Sequence, residues 1–246
     1  YTNNSSRDDM LKDRKIVKSL LIDYLKKNGY QLSKDIREHH ALDSIKATYI
    51  NSGGNLDNIK IEINYMLRVH IYEPVIVKTK NYGLIGEVET RTVDPIEIFG
   101  SKLVALMARS TPRDLYDFFY MINTKIFNEV EIKKIKRCAV FYRAISNEDG
   151  MFDFNLDNLD SITQNNIKRF LIPVINAKEF FSLPEAKQAI NDFFNTHFVL
   201  DKNESMFIEQ FKRKKYIPEL LYDGDELKRI QNHPMAIWKT REIKKS

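Results

Sequence analysis

The sequence predicts an α+β fold in which a part that contains strands, residues 1–125, is followed by a helical part, residues 126–246. In the first part, apolar residues alternate strictly with polar ones over residues 59–65, which is the two-residue period of a half-buried strand. After about residue 123 this period disappears, and apolar residues recur at the spacing of amphipathic helices. We therefore predict two domains that meet near residue 125.

The chain should open with a helix and a β-hairpin. Residues 6–28 carry apolar side chains at three- and four-residue spacing, and Gly29 suits the position after a helix. A strand over residues 45–49 and the strand over residues 59–65 flank the turn-forming stretch 51–55, which predicts that the two strands pair. Lys60 and Glu62 should then project from the face opposite the core, and residues 75–77 should form a further strand.

Two helices with clear start signals follow these strands. Asp94 precedes a proline and then Glu97, which is the order of an N-cap, a first helical residue and a capping-box partner. Thr111 precedes a proline and Asp114 in the same way. The periodicity predicts further helices over residues 130–145, 161–172, 183–194, 204–214 and 226–239.

Composition narrows the possible classes of protein. The 39 basic and 34 acidic residues give a net charge of +5, which suits contact with nucleotides or RNA but not a dedicated nucleic-acid binder with a dense basic stripe. The single cysteine, Cys138, excludes an internal disulfide and a cysteine-based zinc cluster.

No apolar run approaches the roughly 20 residues that span a bilayer, so we predict no membrane contact and a cytoplasmic protein. Because the chain begins with Tyr1, we expect it to start inside a longer gene product.

Lys102 and the acidic residues around it permit two interpretations each. Lys102 lies at the margin of its helix's apolar stripe, where it could cover core surface with its stem or hold a phosphate near a cleft. Asp114 and Asp117 could complement a helix dipole and pair with Arg113, or they could orient Lys102 or an attacking hydroxyl. Glu62 could lie on a solvated sheet face or act as a metal-binding or general-base carboxylate.

A basic cluster near the C-terminus also permits two interpretations. Lys212, Arg213, Lys214 and Lys215 are consecutive, and Trp238 lies in a second basic segment. These side chains could hold an RNA backbone and stack a base. Acidic residues at positions 219, 223, 225 and 226 dilute the cluster, so an ordinary solvated face is the alternative.

The strand over residues 59–65, the Lys102 helix and the Thr-Pro-Arg-Asp-Leu-Tyr-Asp block at residues 111–117 resemble the AbiEii/AbiGii toxin-type nucleotidyltransferases. Residues 216–221 and 232–239 are similar to a longer bacterial branch of that family. The resemblance implies a partial polymerase-β-like nucleotidyltransferase core, with a mixed sheet and flanking helices, followed by a helical-bundle domain. It also implies transfer of a nucleotide from an NTP, with Mg²⁺, to an acceptor such as tRNA. The protein would be the toxin of a toxin–antitoxin or phage-defence pair, with a cognate antitoxin as partner.

The resemblance assigns roles to individual residues. Lys102 would hold the triphosphate, and Asp114 would be the second essential polar residue. Arg113 and Asp117 would support these two, and Lys60 is a further candidate for nucleotide binding.

The sequence departs from the family pattern at the metal site. It lacks the family's Gly-Ser or Gly-Gly motif and its Asp-x-Asp pair, and residues 1–10 look like those that follow that pair. Glu62 would match the acidic position on the later strand, but one carboxylate is too few to hold catalytic Mg²⁺. We therefore expect no metal ligands in this chain and no turnover by it alone. The alternative hypothesis is a non-catalytic nucleic-acid- or protein-binding module with a degenerate nucleotidyltransferase fold.

Overall fold

The computed structural model describes residues 6–33, 37–38, 42–79, 86–146 and 152–241. The chain divides into two compact units, residues 1–69 and 70–246. Helices on both sides of residue 125 belong to the second unit, and a functional domain boundary at that point remains a prediction. Among the described helices, none is long and apolar enough to cross a membrane.

The first unit contains one long helix and a four-stranded sheet. Helix α1 (Arg7–Lys27) begins after Ser6, whose hydroxyl accepts a hydrogen bond from the N–H of Asp9 at 3.2 Å. The helix ends before Gly29, whose positive φ of 81° agrees with its predicted position after a helix. The strands are β1 (Gln31–Leu32), β2 (Arg37–Glu38), β3 (Leu42–Ile50) and β4 (Leu56–Asn64); β3 pairs antiparallel with each of the other three.

Strands β3 and β4 form the hairpin that the alternation predicted. Ile45 lies opposite Ile61 in the register, and both lie on the side of the sheet that faces α1. Buried Leu25, Ile45 and Ala47 form the core of this unit, against which the half-buried Ile59 and Ile61 pack. The polar residues between them on β4 are exposed, so the predicted two faces of this strand are confirmed.

The second unit begins with a two-stranded ribbon and continues as helices. Strand β5 (Val75–Lys78) was predicted, but its antiparallel partner β6 (Glu89–Thr92) was not. The pairings between described strands are all antiparallel, so the parallel pair of a mixed sheet is not among them; the α+β class is confirmed. The helices are α2 (Pro95–Arg109), α3 (Pro112–Thr124), α4 (Glu129–Ser146), α5 (Gln164–Phe170), α6 (Leu183–His197), α7 (Lys202–Lys212), α8 (Gly224–Ile230) and α9 (Pro234–Thr240).

Two predicted helices were wrong in extent. The helix expected over residues 226–239 is interrupted after α8, because Pro234 has no N–H to continue it and instead starts α9 behind the extended His233. The helix expected over residues 161–172 is the shorter α5, flanked by 3₁₀ turns at Asp157–Ser161 and Ile172–Val174.

Helices α2 and α4 pack closely at Gly100. A Cβ added at Gly100 would lie 2.4 Å from the Cβ of Cys138 and 3.1 Å from the carbonyl oxygen of Ile135, both on α4. Only glycine permits this approach. Cys138 is fully buried, as predicted, and burial raises the pKa of its thiol. The contact fixes α2, and therefore Lys102, against the core of the unit.

Glu97 does not complete the predicted capping box. Its carboxylate is buried: Oε1 lies 2.9 Å from Nδ1 of His70 and also accepts a hydrogen bond from the hydroxyl of Tyr142. Oε2 accepts a hydrogen bond from the backbone N–H of Tyr72 at 3.1 Å. The glutamate thus anchors residues 70–72 to the first turn of α2, a contact that satisfies a buried charge.

Candidate functional site

A cleft of about 810 Å³ lies in the second unit between α2, α3 and residues 161–175. Five of its lining residues are charged, and four of these were predicted from the sequence as site residues: Lys102, Arg113, Asp114 and Asp117, with Arg109 as the fifth. The volume falls within the range of pockets that bind small molecules and cofactors.

The turn between α2 and α3 brings their charged residues together. Ser110 adopts a left-handed conformation with φ 43°, and its N–H and hydroxyl both donate to the carbonyl of Leu106. Thr111 then caps α3, because its hydroxyl accepts a hydrogen bond from the N–H of Asp114 at 3.3 Å. The N-cap roles predicted for Asp94 and Thr111 are both confirmed.

Two ion pairs connect the facing sides of α2 and α3. Lys102 and Arg109 are two turns apart on α2, and Asp114 and Asp117 are one turn apart on α3, so each pair of like charges shares a helix face. Lys102 Nζ lies 2.5 Å from Oδ2 of Asp117, and Arg109 contacts Asp114 through two hydrogen bonds of 2.8 Å. The cation nearer the start of α2 therefore meets the carboxylate farther along α3, and the cation at the end of α2 meets the carboxylate at the start of α3.

Lys102 and Asp117 form the accessible pair. Their side chains are 39% and 37% exposed, so solvent and small molecules reach both groups. This exposure is compatible with both interpretations of Lys102, because a lysine whose stem covers core surface also keeps its ammonium in water. Asp117 pairs with Lys102 rather than with Arg113, the partner expected from the i,i+4 spacing. Arg113 instead places its Nε 3.5 Å from the carbonyl oxygen of Phe170 across the cleft.

Asp114 is the inaccessible carboxylate of the cleft, with only 2% of its side chain exposed. Besides Arg109, the hydroxyl of Thr111 donates a hydrogen bond of 2.5 Å to it. Burial acts to raise the pKa of Asp114, but the hydrogen bonds from Arg109 and Thr111 outweigh burial and hold this pKa below its ordinary value. Asp114 also raises the pKa of Arg109 through their hydrogen bonds.

Arg109 was not predicted as a site residue. Its separation from Asp114 is five residues, which matches no helical spacing, and the contact depends on the turn at Ser110. The recurrence of cations two turns apart on α2 is the signal in the sequence that could have identified it.

The opposite wall of the cleft is mostly apolar, with Ile162, Phe170, Leu171, Val174 and Ile175 as lining residues. Asn166 supplies an amide on this wall. Its Oδ1 accepts hydrogen bonds from the backbone N–H and the hydroxyl of Thr163, at 2.9 and 2.6 Å. Because the backbone N–H can only donate, Oδ1 is fixed there and the NH₂ group is the free end of the amide. The cleft therefore combines a charged wall with a mostly apolar wall that carries the Asn166 amide.

The carboxylates of the cleft do not fit a Mg²⁺ site. Asp114 is engaged by Arg109 and Thr111, and Asp117 by Lys102, so neither presents a free oxygen pair to a cation. Within the described ranges, no group of three or more His, Cys, Asp or Glu side chains is placed to hold a metal ion. That the metal ligands lie outside these residues remains a prediction.

Glu62 and Lys60 lie in the first unit, on the exposed face of β4, and not among the residues that line the cleft. Lys60 Nζ is 2.6 Å from Oε1 of Glu62. Both side chains are largely exposed, which is the geometry of a solvated ion pair. Their catalytic and nucleotide-binding roles remain predictions from the resemblance.

An α+β fold with a cationic cleft between two capped helices is compatible with the nucleotidyltransferases that the sequence resembles. A family model described as "Nucleotidyl transferase AbiEii toxin, Type IV TA system" matches residues 7–206. The chain therefore belongs to the AbiEii nucleotidyl transferase toxin family, and its predicted family is confirmed. No curated protein and no solved structure matches the chain significantly.

Proposed function

We propose that this protein transfers a nucleotide from an NTP to an acceptor such as tRNA, and that the cleft of the second unit binds the NTP. The observation that carries the proposal is the accessible pair of Lys102 and Asp117 in a cleft whose other wall is apolar. An NTP has the same two-part character, because a polyanionic triphosphate is joined to a flat base.

Lys102 and Arg113 are the triphosphate-binding groups in this proposal. An ammonium acts as a compact point charge toward phosphate oxygens, and a guanidinium offers a planar set of donors. The base would lie against Phe170 and Val174 on the apolar wall, where the Asn166 amide can donate to a base edge. In the reaction, an acceptor hydroxyl attacks the α-phosphate and pyrophosphate leaves. Positioned charges supply most of the stabilisation of such a transfer.

The two aspartates have different roles. Asp117 orients the Lys102 ammonium, which it contacts directly. Asp114 acts through the structure as a positioning residue, because it holds Arg109 and Thr111 and so fixes the start of α3. Both roles agree with an Arg-Asp-Leu-Tyr-Asp block whose first aspartate is buried and whose second faces the cleft.

The remaining parts of the proposal come from the family. An antitoxin partner follows from membership of a type IV toxin–antitoxin family. We place the protein in the cytoplasm of a bacterium. Mg²⁺ would be the divalent ion of the reaction, and phage defence would be a biological role of the toxin–antitoxin pair. Glu62 is kept as a catalytic candidate and Lys60 as a nucleotide-binding candidate, each on the exposed face of β4.

A Lys102→Ala variant tests the proposal. We expect its affinity for NTP to fall about 10- to 100-fold, which is the loss of one charge-assisted contact. Isothermal titration with the chain measures binding, and labelled NTP with cellular RNA and the full-length gene product measures transfer. Lys133→Ala, at an exposed lysine of α4 outside the cleft, is the matched control.

Unchanged binding and transfer in Lys102→Ala would contradict the assignment of the cleft. If the wild-type protein binds no NTP and transfers nothing, the non-catalytic binding module becomes the better description.

A further inference from the structure

The C-terminal end of the chain carries an exposed cationic surface that lies beyond residue 206, where the family match ends. We call it the basic–aromatic surface and define it by six residues: Lys212, Arg213, Lys214, Lys215, Trp238 and Lys239. The first four are exposed at the end of α7, and the last two lie on α9. The sequence placed these two groups more than 20 positions apart.

One hydrogen bond joins the two halves of the basic–aromatic surface. Lys214 adopts a left-handed conformation with φ 62°, which turns the chain sharply at the end of α7. Its Nζ donates a hydrogen bond of 3.0 Å to the carbonyl oxygen of Lys239 in the last turn of α9. A cation at this end of a helix complements the helix dipole. The contact therefore holds the run of four basic residues next to the helix that carries Trp238.

Trp238 gives this surface an aromatic platform. It is the single tryptophan of the chain, and 56% of it is exposed, so that its ring is accessible to a ligand. The ammonium of Lys239 lies 5.4 Å from the centre of its ring. The ammonium of Lys212 lies 5.6 Å from the ring centre of a second aromatic residue, Phe152. Aromatic faces bordered by cations are the elements with which proteins stack bases and hold the adjoining phosphates.

Acidic residues neutralise this surface only in part. Glu209 lies 3.6 Å from Arg213, and Asp225, one of the residues expected to dilute the cluster, pairs with Lys228 of its own helix at 2.9 Å. In the described part of the chain, no ion pair joins Lys212 or Lys215 to a carboxylate. The surface therefore keeps a net positive charge beside an exposed indole.

We propose that the basic–aromatic surface binds single-stranded RNA, with a base stacked on Trp238 and phosphates held by Lys212 and Lys215. A cluster of positive charges alone would bind any polyanion, but the exposed indole of Trp238 adds an aromatic face on which the bases of a nucleic acid can stack. The proposal goes beyond NTP binding in the cleft and does not depend on it, because no residue of the surface lines the cleft.

The experiment uses the intrinsic fluorescence of Trp238, which reports on this surface alone because the chain has no other tryptophan. We expect a short single-stranded RNA of mixed sequence to quench the emission to saturation. The logarithm of the binding constant should fall linearly with the logarithm of the salt concentration, with a slope of about −0.7 for each phosphate contact. Lys212→Ala/Lys215→Ala should reduce that slope by about 1.4, whereas Lys228→Ala, on α8, should leave it unchanged.

A Trp238→Ala variant, followed by filter binding, separates stacking from charge. Loss of one stacked base should weaken RNA binding about 5- to 100-fold. The proposal is overturned if RNA leaves the emission unchanged, if heparin or vesicles of anionic lipid bind as tightly as RNA, or if Trp238→Ala binds RNA like the wild type. It is also overturned if Lys102→Ala weakens RNA binding and the double lysine variant does not. A failure to bind NTP would refute the function of the cleft and leave this result intact.

Discussion

Replacing Asp114 with asparagine tests whether this carboxylate supports the structure of the cleft rather than its ligand. Asparagine retains the shape and one acceptor oxygen, but it removes the charge that faces Arg109, Thr111 and the N-terminus of α3. Because Arg109 is 64% exposed, its ion pair is screened and is worth about 0.5 kcal/mol. The weaker bond to Thr111 costs about 1 kcal/mol, and the lost helix-dipole interaction costs about 0.5 kcal/mol.

The free energy of unfolding should therefore fall by about 2 kcal/mol in Asp114→Asn. For a unit the size of residues 70–246, this corresponds to a decrease in Tm of about 4–8 °C. Thermal and urea unfolding followed by far-UV circular dichroism measure the change. Asp117→Asn is the matched control, because its carboxylate is accessible and its removal should alter stability by less than about 0.5 kcal/mol.

The variant that loses less stability, Asp117→Asn, should lose more activity. Asp117→Asn should abolish transfer by the full-length gene product, because Lys102 loses the group that orients it, while NTP binding persists. Asp114→Asn should lose transfer only in proportion to its unfolding. An Asp114→Asn protein as stable as the wild type but unable to bind NTP would refute the structural role of Asp114.

The pH dependence of stability gives a second measurement on Asp114→Asn. The folded-state pKa of Asp114 lies below its ordinary value of 3.8, so the ionised form is favoured by folding. The stability that ionised Asp114 contributes is complete above its ordinary pKa and is lost as the pH falls through its lower folded-state pKa. The stability difference between wild type and variant should thus be constant from about pH 7 to pH 5 and shrink below about pH 4. A difference that grows in acid would show that the carboxylate is destabilised in the folded protein.

Two further predictions concern packing and base preference. Gly100→Ala should lower the free energy of unfolding by about 1–3 kcal/mol, since the added methyl group overlaps α4, whereas Gly86→Ala, with open space around it, should be neutral in the same urea titration. Asn166→Asp keeps the oxygen that caps α5 but replaces the donor that faces the cleft, so the relative affinities for the four NTPs in calorimetry should change. Asn128→Asp, the same exchange at the start of α4, should leave them unchanged; an equal loss for all four NTPs in Asn166→Asp would exclude base recognition by this amide.

Structural features that depend only on neighbouring residues in the sequence were predicted correctly. The caps at Asp94 and Thr111 and the alternation along β4 require only neighbouring residues, and the structure confirms all three. Strand β6 was missed because Glu89–Thr92 is polar and acquires its structure by pairing with β5. The pattern at Glu97 predicted a capping box, but His70 and Tyr142 offer it buried partners that only the tertiary fold supplies.

The residues of the candidate site were identified more completely than their contacts. Lys102, Asp114 and Asp117 line one cleft, as their spacing suggested. Of the two interpretations of Asp117, the pair with Arg113 within α3 does not form, and the contact with Lys102 does, so that both ion pairs run between α2 and α3. Such contacts depend on the angle of the Ser110 turn, which no periodicity encodes.

The pair formed by Lys102 and Asp117 gives the cleft a counter-ion of its own. An incoming phosphate approaches the ammonium beside this carboxylate, and the three N–H donors of the lysine allow it to contact both anions. A ligand with a single negative charge gains little there, because repulsion by the carboxylate offsets its attraction to the ammonium. A triphosphate brings several charges and can engage Arg113 as well. If the cleft binds NTP as proposed, Asp117 would therefore favour ligands with several negative charges over small anions with one.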